Sequence, residues 1–337
     1  MKALVMYGPG DLRPESVPEP KMKAREALLR VRRVGLCGSD LNSYRGRNPL
    51  VSYPRVPGHE IAATIVEMSE RHSVFTEGMD VTLSPYSHCG GCAACRNGRF
   101  NACQYNQTLG VQRDGALAEY ISVPLDRLYS ANLNLKELCL VEPLTVGAHA
   151  VARANVTARD TVAIFGCGGV GLGAIAASAF RGATTIAIDV DDSKLAIARE
   201  AGASHSIHSQ REVPAQALTA LVGERGPDVV IEAVGMPETF RAAIELVSFT
   251  GRVVYIGYAK EQVAYETRLF VQKELDIRGA RNALPDDFRQ VIEMLENQRF
   301  PVESAIDKVV PFNEAAEALR AWSDRPSQFK KIMITLD

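Results

Sequence analysis

The run Gly166-Cys167-Gly168-Gly169-Val170-Gly171 constrains the fold of this chain more than any other segment. It follows the apolar stretch Thr161-Val162-Ala163-Ile164-Phe165, which reads as a buried strand, and opens a small-residue helix expected over Val170–Phe180. The spacing G-x-G-x-x-G permits a tight strand-to-helix turn and close backbone approach to a pyrophosphate at the helix N-terminus, where free N–H groups and a partial positive charge converge. A second strand at Thr185–Ile188 ends in Asp189, about twenty residues on, the position from which a carboxylate would accept hydrogen bonds from a ribose diol. That negative charge would repel a 2′-phosphate, and no Arg follows in Asp189-Val190-Asp191-Asp192, so NAD is expected over NADP. Gly166, Gly168, Gly169, Val170, Gly171, Asp189 and Lys194 are the expected cofactor contacts. A Gly-rich turn without a ligand is the plainer alternative.

The rhythm of strand, turn and helix continues through a helix at Ser193–Ala201 and strands at Val229–Ile231, Val253–Ile256 and Asp276–Arg278. Such alternation predicts a parallel sheet covered by helices, an α/β, doubly wound Rossmann domain. Residues before about 150 read differently, as short strands such as Ala27–Val31 and Ile61–Val66 separated by Gly and Pro turns. Two domains therefore suit the 337 residues. Residues 151–283 are expected to bind the dinucleotide, while 1–150 and 284–337 form a mainly β catalytic domain. The tail, with a helix at Phe288–Glu296 and a strand at Lys331–Ile334, returns to that first domain.

Four cysteines, Cys89, Cys92, Cys95 and Cys103, fall within fifteen residues, in a lobe spanning 88–104. Two C-x-x-C steps and a nearby fourth thiolate suit a tetrahedral zinc with every position filled, hence a structural ion. Two disulfides are the alternative, disfavoured where thiols stay reduced. The N-terminus lacks a signal-peptide apolar region, no stretch of about 18 apolar residues occurs, and a cytoplasmic protein is the expectation. With a formal net charge of −2 there is no basic field for nucleic acid or an anionic membrane. A zinc-ribbon nucleic-acid binder is disfavoured accordingly, since the lobe offers only Arg96, Arg99 and Phe100 as contacts.

Cys37, His59-Glu60 and Glu142 form a second candidate metal set, in which one Cys, one His and one carboxylate leave a fourth zinc position open. Gly35-Leu36-Cys37-Gly38-Ser39-Asp40, Gly58-His59-Glu60, the four-cysteine lobe, Glu142-Pro143 and the glycine loop occur in the order and spacing of zinc-dependent medium-chain dehydrogenases. The chain resembles that family along essentially its whole length, nearest to the sorbitol and galactitol branch. The run Tyr44-Arg45-Gly46, Tyr53-Pro54-Arg55 is similar to relatives acting on sugar acids such as L-galactonate.

The resemblance implies a GroES-like catalytic domain and two zinc ions per chain. It also implies Cys37, His59 and Glu60 as catalytic zinc ligands, with Glu142 a fourth ligand or a partner through water. Zinc would act as Lewis acid and the nicotinamide as hydride acceptor, moving a hydride between NAD and the secondary alcohol of a polyol or sugar acid. Ser39 is the expected proton relay. Asn42 stands where many relatives have His and cannot carry a proton onward. Tyr44, Tyr53, Arg113 and Arg281 are candidate substrate contacts, an Arg being suited to clamp a carboxylate. An L-threonine 3-dehydrogenase-like activity is the alternative within the class; a silent nucleotide-sensing protein would have lost a zinc ligand. Relatives form homodimers or homotetramers, often through the cofactor-domain sheet edge, which is expected near Tyr255–Tyr258.

Overall fold

The structure, a computed structural model, describes residues 1–336. Its strands are β1 (Lys2–Gly8), β2 (Asp11–Ser16), β3 (Glu26–Gly35), β4 (Glu60–Met68), β5 (Asp80–Leu83), β6 (Tyr120–Pro124), β7 (Leu128–Tyr129), β8 (Thr161–Phe165), β9 (Thr184–Asp189), β10 (His205–His208), β11 (Val229–Glu232), β12 (Arg252–Tyr255), β13 (Asp276–Gly279), β14 (Lys308–Pro311) and β15 (Ile332–Thr335). The helices that matter for function are α1 (Gly38–Tyr44), α2 (Ala93–Arg96), α3 (Leu135–Arg153), α4 (Gly169–Phe180) and α5 (Asp192–Glu200). Among the described residues no helix is long and apolar enough to cross a membrane.

The chain divides into two compact units, Met1–Glu142 with Val302 onward, and Pro143–Pro301. The crossings thus fall inside α3 and after Pro301, not at residues 150 and 284. Two packing facts account for the difference. His149, on the second half of α3, bonds Asp287 through Nδ1 at 2.8 Å, with both side chains buried. The helix Pro285–Glu296 also buries Phe288, Val291, Met294 and Leu295, an apolar stripe that commits it to the second unit. Only the chain from Val302 onward returns to the first unit.

The first unit is built on a sheet of order β14-β15-β3-β4-β5-β7, with β6 also pairing β3 and a separate antiparallel ribbon of β1 and β2. Alternation in β3 places Ala27, Leu29 and Val31 inward at 0% exposure, and β4 adds Ile61 and Ile65. Burying each such Leu or Ile contributes roughly 1.5–3 kcal/mol. The last strand, β15, runs parallel to β14 and antiparallel to β3, so the chain's end is stitched into the sheet's interior.

The second unit holds a six-stranded sheet, every pairing parallel, in the order β10-β9-β8-β11-β12-β13. The strand order reverses between β8 and β11, the switch point at which such sheets bind ligands beyond their carboxyl ends. Strands β8, β9 and β11 are nearly continuous buried apolar runs, as helices on both faces require. The exposed edge is β13, where Ile277 is 40% exposed. Tyr255 belongs to β12, one strand inward, with its hydroxyl donating to the Phe240 carbonyl. The sheet edge is therefore not near Tyr255–Tyr258: the pattern Val253–Ile256 is a covered strand, and the more polar Asp276–Gly279 borders it.

Candidate active site and cofactor site

The cysteine lobe leaves the first unit between β5 and β6, and its four sulfur atoms converge. Among the described residues they are the only group of three or more Cys, His or carboxylate donors whose ligand atoms all lie within 4.8 Å of one another. Cys92 Sγ stands 3.5 Å from Cys95 Sγ and 3.8 Å from Cys103 Sγ. These separations far exceed a disulfide of about 2.05 Å and match the ~3.8 Å edge of a tetrahedron with Zn–S bonds of about 2.3 Å. Backbone N–H groups already point at the sulfurs: Cys92 N donates to Cys89 Sγ at 3.3 Å and Tyr105 N to Cys103 Sγ at 3.3 Å. Backbone donors at Cys95 and Gln104 pull the Cys92 thiol down to about 6, while burial pushes Cys95 up. The donor set fits zinc.

The second donor set gathers around the N-terminus of α1, which Cys37 caps. Asp40, 1% exposed, accepts from the Cys37 N–H at 2.9 Å and from the Gly58 N–H at 3.3 Å. One carboxylate thereby ties the loop carrying Cys37 to the loop carrying His59. Its Oδ1 lies 3.9 Å from His59 Nδ1, the edge away from Ser39, whose hydroxyl faces Nε2 at 3.5 Å. His59 is buried with Nδ1 unbonded. Burial lowers its pKa, but Asp40 first, then Cys37 and Glu142, outweigh this and hold it well above the ordinary value. Cys37 and Ser39 are half-buried, so the cluster opens on their side.

Glu142 reaches this cluster from α3 and is 3% exposed. The Tyr86 hydroxyl donates to its Oε1. Burial is the main reason its pKa rises to about 7; Glu60 adds to the rise, while His59, Tyr86 and Lys331 oppose it. Glu60 is held otherwise: both its oxygens accept from Lys331 Nζ, at 2.7 and 2.6 Å. The Cys37, His59, Glu60 and Glu142 donors are more widely spread than those of the lobe. A half-buried thiol, a buried imidazole and buried carboxyl groups still make a donor set suited to zinc.

Of the candidate substrate residues, Tyr44 is 7% exposed and packs in the core as the last residue of α1. Tyr53 is half-buried and donates to the Ser43 carbonyl. Arg113 is half-buried, with Nε unbonded and one terminal nitrogen 3.5 Å from the Pro85 carbonyl. Arg281 lies in the second unit, after β13. Tyr86 and Lys331 escaped the sequence reading because their partners lie 56 and 271 residues away.

In the second unit Gly168 caps α4, and Gly166 has φ +92°, which a side chain would strain. A Cβ on Gly171 would sit 1.8 Å from the Gly166 carbonyl oxygen, so helix and turn can close only on glycine. A Cβ on Gly168 or Gly169 would meet nothing within 4 Å, leaving that face of the backbone open to a ligand. Asp189, at the end of β9, accepts from Cys167 N at 2.7 Å through Oδ2 and from Val190 N at 2.7 Å through Oδ1. It thus steadies the turn as well as offering charge. Lys194 lies in the first turn of α5, where its backbone N–H donates to Asp191. Cys167 is fully buried, as a packed filler should be. Glu232 was not anticipated: at the end of β11 it accepts from Val234 N and Gly235 N at 2.9 and 2.8 Å and from the Thr239 hydroxyl, fixing the loop next to the glycine turn.

Two family models match the chain: the alcohol dehydrogenase GroES-like domain over residues 23–132, and the zinc-binding dehydrogenase over residues 169–297. The L-galactonate-5-dehydrogenase of Escherichia coli strain K12 is 32% identical, over 94% of each chain. The sorbitol dehydrogenase of Bacillus subtilis is 34% identical, over 83% of this chain and 81% of its own. A solved alcohol dehydrogenase from Escherichia coli, complexed with NADH, superimposes with a TM-score of 0.91 at 28% identity, covering 100% of this chain and 99% of its own. With both zinc-type domains in sequence and the fold reproduced along its length, this chain belongs to the zinc-dependent alcohol dehydrogenase family, oxidoreductases acting on CH–OH groups.

Proposed function

We propose that the protein interconverts a secondary alcohol and a ketone of a polyol or sugar acid, using one catalytic zinc, one structural zinc and NAD. The observation that carries this is the half-buried Cys37 thiol beside the buried His59, Glu60 and Glu142 side chains, opening beside the Ser39 hydroxyl. Cys37, His59 and Glu60 would hold the metal, with Glu142 a fourth ligand or a partner through water, and the four lobe cysteines the structural ion. Bound there, zinc supplies the Lewis acidity that lowers an alcohol's pKa, and NAD supplies the hydride acceptor.

The chain's own residues do the rest. Asp40 keeps the two ligand loops in register and faces His59 Nδ1, which leaves the Nε2 edge for the metal side. Ser39 takes the hydroxyl proton and passes it to water, because the exposed Asn42 side chain has no titratable group. Relatives active on sorbitol and on L-galactonate support a polyhydroxylated substrate. A panel of polyols and aldonates, followed by NADH absorbance, tests the reading. Turnover should be confined to polyhydroxylated secondary alcohols, and oxidation of simple alcohols alone would overturn it.

Cofactor choice is tested at Asp189. Losing a charged hydrogen-bond acceptor costs about 1.5–3 kcal/mol, so Asp189→Ala should weaken NADH binding roughly ten- to a hundredfold and narrow its lead over NADPH. Fluorescence titration with both nucleotides measures this. An unchanged preference would remove Asp189 from the ribose site.

A further inference from the structure

Glu232 closes β11, on the other side of the switch point from Asp189. A sheet of this order has two halves, and a dinucleotide lies across both, over the carboxyl ends of the strands. The ribose assigned to Asp189 and the pyrophosphate assigned to the glycine turn take the ends of β9 and β8. The ends of β11 and β12 are left for the nicotinamide half. Glu232 terminates the first of these strands and is 0% exposed.

Its two carboxyl oxygens are treated unequally. Oε1 accepts three hydrogen bonds, from Val234 N, Gly235 N and the Thr239 hydroxyl. Oε2 is sealed from solvent and has no hydrogen-bond partner. It faces the loop after β12, where a Cβ on Gly257 would stand 2.5 Å away. The Glu232 carbonyl holds the same loop, accepting from Ile256 N at 2.9 Å. A buried carboxylic acid would need an acceptor for its O–H, and Oε2 has none, so the side chain is a carboxylate. Fully buried carboxylates are ordinarily paired with a cation. Among the described residues Glu232 forms no ion pair. Its field is therefore uncancelled.

We propose that Glu232 sets the preference of the site between oxidised and reduced cofactor, its negative charge favouring the cationic nicotinamide of NAD⁺ over the neutral ring of NADH. The inference rests on the nucleotide-binding reading given above. Its logic is charge. Oxidation leaves a positive charge on the nicotinamide ring and reduction removes it, so a fixed anion on that side attracts one form only. The adenosine and pyrophosphate are common to both forms and feel the same field in each. A site biased in this way is loaded for alcohol oxidation.

The test titrates the zinc-loaded protein with NAD⁺, NADH and ADP-ribose, the last carrying the shared part without the nicotinamide. NADH is followed by its fluorescence, and the other two by displacing it. Glu232→Gln keeps the shape and an oxygen for the three donors while removing the charge. It should lower the ratio of NAD⁺ to NADH affinity about fivefold or more. NAD⁺ should weaken relative to ADP-ribose, and NADH should not. Thr239→Lys, which sets an ammonium against the same carboxylate, should lower the ratio in the same direction, and it decides the matter if Glu232→Gln does not fold. Thr239→Val removes a hydrogen bond but no charge and should keep the wild-type ratio. A residue that merely held the loop would move NAD⁺ and NADH in step. That pattern, or an unchanged ratio, overturns the proposal. A wild-type protein that binds none of the three probes would instead overturn the nucleotide-binding reading itself.

Discussion

Replacing Cys37 with Ala should leave a folded protein with one zinc per chain instead of two, and turnover lowered at least about a thousandfold. The size follows from the several kcal/mol that a metal contributes to stabilising charge at a reacting oxygen, at about 1.4 kcal/mol per tenfold in rate. Folding should survive, because the bonds that organise this corner run through the backbone. The residue 37 N–H still donates to Asp40, and Asp40 still accepts from Gly58, whichever side chain stands at 37. The half-buried thiol also leaves no large cavity when removed. Metal analysis, melting temperature and turnover measured together decide the matter. Two zinc ions with undiminished turnover would place the chemistry elsewhere in the protein. Loss of both ions would mean that the lobe and the donor set are not independent.

Much of this was legible before any coordinates, for a physical reason. Strands buried on both faces must be apolar throughout, so Thr161–Phe165 and Val229–Ile231 announce themselves, and a turn that closes only on glycine must read as glycine. A tetrahedral ion needs four close thiols, which the lobe supplies within fifteen residues. What stayed hidden has no local signature. The helix α3 carries Pro143 in its interior, which breaks its helical pattern in the sequence, although its N-terminal half delivers Glu142 and its C-terminal half belongs to the other unit. Lys331 looks like any lysine flanking a strand until β15 is found next to β3. Nor does sequence show that Tyr44, an aromatic beside a ligand loop, packs into the core with Leu41 through helical periodicity. Register and long-range pairing, which decide such cases, are properties of the fold rather than of any window of sequence.

The lobe should fail in a different way from the donor set. Its apolar cluster consists of Cys92, Cys95 and Cys103 with Ala94 packed against them, so little but the sulfurs can hold it together. The helix α2 has four residues, too few to persist alone. Cys92→Ser should therefore release the lobe zinc and open residues 88–104 locally, freeing the backbone at the already exposed Arg96 and Arg99 for trypsin and raising cleavage there by at least about tenfold. The sheet should remain, because its core draws on β3, β4 and β15 rather than on the lobe. A smaller loss of turnover should accompany the cut. The base of the lobe is closed by the Tyr86–Thr108 bridge, and the Tyr86 hydroxyl holds Glu142, so slackening the lobe loosens one ligand of the catalytic ion. Turnover should fall severalfold, far less than for Cys37→Ala, with nucleotide affinity in the second unit unchanged. Zinc content, tryptic mapping and NADH titration of the one variant separate these effects. An intact lobe that keeps its zinc and resists trypsin with serine at 92 would show that it stands without its fourth thiolate.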